Sequence, residues 1–77
     1  MKKFTVLRVE RVKRGIGSAR ELAERAGVAE ARVKLFEAQC GQRRYLKAEE
    51  LARLAEVLGV PVETIADERG LPVMAAV

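Results

Sequence analysis

The side chains able to do chemistry in this 77-residue chain are of few kinds. There is no histidine, and Cys40 and Ser18 are the sole cysteine and serine. A nucleophilic thiol or hydroxyl needs a base within hydrogen-bond reach, and no imidazole exists to serve either one. A histidine-based metal site is excluded for the same reason. The expectation is a protein that is not an enzyme and holds no metal or cofactor, with Cys40 a free structural thiol. What remains is charge: 15 lysines and arginines against 11 acidic residues, net +4. It is unevenly spread, with +8 over residues 1–47 and −4 over residues 48–77. Arg20, Arg32 and Lys34 lead into a second group, Gln42, Arg43, Arg44 and Lys47. Ammonium and guanidinium groups at this density suit a polyanionic partner. The same charges are also what a solvated face carries.

Length and composition bound the rest. A chain this short is one small domain, able to bury only about 60% of its unfolded surface. No apolar run approaches the roughly 20 residues that cross a bilayer. Met1-Lys2-Lys3 is basic, but Arg8, Glu10 and Arg11 interrupt any signal-like apolar stretch behind it. The lone cysteine suits a reducing compartment, so a soluble cytoplasmic protein without a membrane partner is expected.

The elements that must position these charges read as an all-α domain of five short helices. Phe4, Leu7, Val12 and Ile16 form a helical stripe, although the β-branched Thr5, Val6, Val9 and Val12 would also suit a short strand. A helix over about 6–14, stopped by Gly15 and Gly17, is the preferred reading. Ser18 with Glu21 three residues on is a capping-box pattern. The helix it opens runs to Ala26, with Leu22, Ala23 and Ala26 inward. After Gly27-Val28 another runs to about Ala38, with Val33 and Phe36 inward, and "QCGQRRYL" is a loop. Leu51, Leu54, Ala55 and Leu58 mark the clearest helix, Ala48 to Leu58, ended by Gly59 and Pro61. A last helical turn over 62–67 inserts Val62 and Ile65. The apolar tail, 71–77, is set apart from this domain of residues 1–70.

Gly27 interrupts an otherwise continuous helical pattern, "ELAERAGVAEARVKLFE". Two helices joined by a glycine turn obey steric rules when they cross steeply. Ala23 is small where they touch, Gly27 tolerates positive φ, and Leu22, Ala26, Val28, Val33 and Phe36 occupy the buried positions. This matches the helix-turn-helix template over about 19–38. With "SARELAERAGV", "RVKLFE" and "LARLAEVLGVPVETI", the chain resembles the phage-repressor and Cro-like helix-turn-helix family, the Xre group, over roughly Leu7 to Asp67. The resemblance implies a compact five-helix lambda-repressor-like fold that binds double-stranded DNA, usually as a homodimer. It also implies an ion pair between Glu37 and an arginine of the first helix, for which Arg11 is the best match.

"GQRRYLKAEEL" is similar instead to the segment after the wing in MerR-like and excisionase-like DNA binders. The five residues between Glu37 and Arg43 are too few for a hairpin of ordinary strand length. The Xre-like pattern has its own departures here: Ala19 stands where the family often has a phosphate-contacting glutamine, and Ala29 where it has a Ser or Thr cap. The outer face of the third helix is Ala31, Lys34, Leu35 and Ala38, flanked by Arg32. The candidate DNA-binding residues are therefore Arg20, Glu30, Ala31, Arg32, Lys34 and Leu35, with Gln42, Arg43, Arg44 and Lys47 implied as phosphate contacts. The expected function is a transcriptional regulator, a repressor or a phage or plasmid control protein. The alternative is a protein-interaction module, such as an antitoxin or regulatory partner, with the Ala31–Leu35–Ala38 strip as its contact. The tail is expected to pack across a two-fold interface, the preferred reading, or back over the first helix near Phe4 and Val6.

Overall fold

The computed structural model describes residues 4–38 and 46–75. Five helices follow in order: α1 (Val6–Lys13), α2 (Ala19–Ala26), α3 (Glu30–Ala38), α4 (Ala48–Leu58) and α5 (Val62–Ile65). Two short strands, β1 (Phe4–Thr5) and β2 (Met74–Ala75), pair antiparallel with Phe4 opposite Ala75 and Thr5 opposite Met74. This sheet corrects the purely helical expectation. Its reason is non-local: a two-residue strand has no stability alone and forms only because its partner arrives from the other end of the chain.

At α2 and α4 a side chain meets the unpaired backbone at the start and a left-handed glycine meets it at the end. Ser18 Oγ accepts from the Glu21 N–H at 3.1 Å at the start of α2. The returning half of the expected capping box is not made, because the Glu21 carboxylate accepts from Arg25 Nη2 at 2.7 Å one turn on. Gly27 and Gly59 close α2 and α4 at φ 69° and φ 70°, a backbone region that a Cβ makes unfavourable in other residues. Glu50 Oε1 accepts from the Lys47 N–H at 2.9 Å to open α4. The helix α5 stops at Ile65 rather than Asp67 because Ala66 turns extended and bridges Pro72.

The core gathers one stripe from each helix: Leu7, Leu22, Val33, Phe36, Leu54, Leu58 and Ile65 are fully enclosed, with Ile16 and Leu46 from the connections. All seven positions singled out around the Gly27 turn fall as the pattern requires, with Ala23, Leu22, Ala26, Val28, Val33 and Phe36 buried and Gly27 left-handed. The tail continues this body through residue 75. Of its two expected placements, residues 71–75 take the one beside α1: the Val6 N–H donates to Val73 O at 2.8 Å and the Val73 N–H to Ile65 O at 3.0 Å. These bonds answer backbone polar groups that would otherwise lie unpaired, and residues 71–75 remain half-exposed beside α1.

Candidate nucleic-acid interface

The helix α3 is held at its C-terminal end and along its length. At its C-terminal end Glu37 receives two bonds from Arg11, Nε to Oε2 at 3.1 Å and Nη2 to Oε1 at 2.7 Å. Arg11 completes its fork on the Ile16 carbonyl at 2.8 Å. Both side chains are nearly buried, at 9% and 12% exposure, and a charge so enclosed is tolerable only when paired and hydrogen-bonded. Thr5 adds a second tie, donating its hydroxyl to Glu37 O at 3.2 Å while accepting from the Arg8 N–H that starts α1. The pairing expected for Glu37 is thus made, with the expected arginine.

Along its length α3 is fixed by a residue expected to face a groove. Arg32 forks onto Glu50, Nη2 to Oε2 at 2.6 Å and Nη1 to Oε1 at 3.2 Å. Glu50 is buried at the start of α4 and also holds the Lys47 N–H. Arg32, Glu50 and Lys47 form one cluster that fastens α3 to α4. Glu50 was missed in the sequence, although its place three residues after Lys47 is the spacing of a helix-opening carboxylate.

The outer strip is as expected: Ala31, Lys34, Leu35 and Ala38 are exposed, Leu35 being 37% accessible. At its leading end Lys34 Nζ lies 2.8 Å from Glu30 Oε2. Arg20 Nε bonds Glu24 at 3.1 Å and approaches Glu30 at 4.0 Å. The hydrogen bond from Lys34, reinforced by the charges of Lys34 and Arg20, holds the Glu30 carboxyl below its ordinary value against a smaller opposing effect of desolvation. Glu30 is therefore an anion on the candidate face, shared between two cations. Gln42, Arg43 and Arg44 lie outside the described residues, as do Cys40 and Tyr45.

Every cation of α2 and α3 has a carboxylate partner, since Arg25 also bonds Glu21. The exposed pairs cost little to exchange, because surface ion pairs contribute about 0–1 kcal/mol. A phosphate can take Arg20 or Lys34 from its carboxylate at that cost. Arg32 differs, because releasing it strands the buried Glu50. The cations without an ion pair among the described residues are Arg8, Lys47 and Arg53, of which Arg8 lies over the Phe4 ring at 4.5 Å from its centre. No described helix is long and apolar enough to cross a membrane.

Comparison with protein-family models, with curated proteins and with solved structures finds no match.

Proposed function

We propose that this chain is a helix-turn-helix regulator of the lambda-repressor-like kind that binds duplex DNA, with α3 in the major groove. The observation that carries the reading is the joint between α2 and α3. Ala23 is buried at the crossing, Gly27 turns left-handed, and Arg11 fastens the far end of α3. That combination leaves an exposed, rigid strip on α3 with small residues at Ala31 and Ala38, so a helix backbone can approach base edges closely.

On this reading Lys34 is the principal polar reader, able to reach guanine acceptors after leaving Glu30, and Glu30 accepts from a cytosine amino group. Leu35 contacts thymine methyl groups. Arg20 and Lys47 meet phosphates, joined by Gln42, Arg43 and Arg44 of the basic segment. Arg32 acts through Glu50, holding α3 at its angle, and is not a base reader. Self-association belongs to the proposal, since one nine-residue helix spans few base pairs.

One feature favours a second reading, a protein-interaction module. The strip Ala31–Leu35–Ala38 is uncharged, and the charges around it are internally satisfied. Selection from a pool of random duplexes separates the two. The proposal expects an enriched motif that changes when Lys34 is replaced by alanine. A pool that stays random for the wild type supports the interaction module.

A further inference from the structure

The outer face of α1 carries the most exposed large apolar side chain of the described residues, Val12 at 61% accessible. Phe4, Arg8, Val9 and Lys13 surround it on a mostly apolar face, from which Val12 projects. Across the fold's other charge half, α4 and α5 bound a groove of about 370 Å³ floored by Leu51, Val62 and Ala66. Its rim is acidic: Glu63, Asp67 and Glu68. The Asp67 carboxylate is occupied by the N–H groups of Arg69 and Leu71, each at 2.9 Å. Glu63 and Glu68 have no ion-pair partner among the described residues. The two surfaces share no residue. One offers an apolar ridge with cations beside it, the other an apolar floor with anions beside it.

We infer that copies of this chain associate head to tail, the α1 ridge of one seating Val12 in the α4–α5 groove of the next, with Arg8 and Lys13 against Glu63 and Glu68. Charge decides against the two-fold alternative. An antiparallel α1–α1 pair that sets Val9 on Val12 also sets Arg8 opposite Lys13, and Glu10 is already shared by Lys13 at 3.5 Å and Arg14 at 3.7 Å. Like charges held face to face oppose that register. A contact between two different surfaces also does not close on itself, so it extends to further copies. The residues used are separate from α2 and α3, and the association needs no DNA.

Sedimentation over a concentration series in low salt, without nucleic acid, tests it. The wild type should grow past two copies, and 1 M salt should weaken it, because the screening length falls from about 10 Å at 0.1 M to about 3 Å. Val12→Asp should weaken self-association at least about tenfold by placing an unpaired carboxylate against the groove. A Glu63→Lys and Glu68→Lys double variant should do the same from the other side. Both sets of positions are exposed, and thermal melting confirms that each variant folds. Mixed in equal amounts, the two variants should form a complex of two copies and stop, since each keeps the surface the other lacks. A wild type that stays monomeric, or stops at two copies, overturns the inference. So does a double variant that associates like the wild type, or a mixture no heavier than its components.

Discussion

At Gly27 the backbone stands at φ 69° and ψ 36°, and a Cβ built there would meet nothing within 4 Å. The whole cost of a side chain at this site is therefore conformational. Gly27→Val should destabilise the domain by on the order of 1–3 kcal/mol, while Gly27→Asn, which tolerates the left-handed region, should cost much less. For a domain of this size each kcal/mol moves the melting temperature by about 4–8 °C, and thermal denaturation reads the difference. Equal melting for the two variants would mean that the turn is built otherwise. The Arg11–Glu37 pair is the other residue-scale test. Glu37→Gln leaves a nearly buried guanidinium with a neutral partner, and a loss of about 3 kcal/mol is expected by denaturant titration, at the lower end for a broken buried pair. A loss below about 1 kcal/mol would place the pair among exposed ones.

Elements depend on partners that local sequence shows unevenly. The helices α2 and α4 were legible because apolar spacing and a closing glycine agree within each segment, with Ser18 marking the start of α2 as well. The partner of Arg32 was not, because Glu50 lies on another helix, 18 residues along the chain. Arg32→Ala should accordingly destabilise the domain by about 1–3 kcal/mol, since a buried group loses its charged partner, and weaken all duplexes alike. Lys34→Ala should leave stability nearly unchanged and alter which sequences are preferred. If Arg32→Ala instead changed preference without changing melting, the strut assigned to it would be wrong. The turn that delivers β2 is a second case. Asp67 accepts from the Leu71 and Arg69 N–H groups. The bond from Leu71 is the leading cause that holds its carboxyl below the ordinary value of 3.8. A carboxyl depressed in the folded state contributes stability above its unfolded value and loses it as pH falls through the folded one. Protection of the Val6 and Val73 amides against exchange should be flat near neutral pH and fall below about pH 4, and Asp67→Asn should blunt that response. Unchanged acid sensitivity in the variant would remove Asp67 from the turn.

At the scale of the molecule, the five helices were legible and the sheet was not. A helix was preferred from about Val6, where α1 does begin, and the strand at Phe4–Thr5 depends on Met74 and Ala75, about as far away as the chain allows. The apolar tail needs cover, and residues 71–75 take part of it from the chain's own β1 and α1. The candidate site shows the same division. Its exposed strip followed from helical spacing, whereas the ion pairs that occupy its cations depend on how α2, α3 and α4 meet. Those pairs make the central claim sharper, because a surface whose cations are shared with carboxylates binds a polyanion only if exchange is cheap. Titration onto a short duplex over a salt series tests this most directly. Binding should weaken with salt along a straight line of log affinity against log concentration. In Arg43→Ala and Arg44→Ala the slope should flatten by about 0.9 for each phosphate that is no longer neutralised. Absence of binding to any duplex at low salt, with the protein shown to be folded, would contradict the central claim.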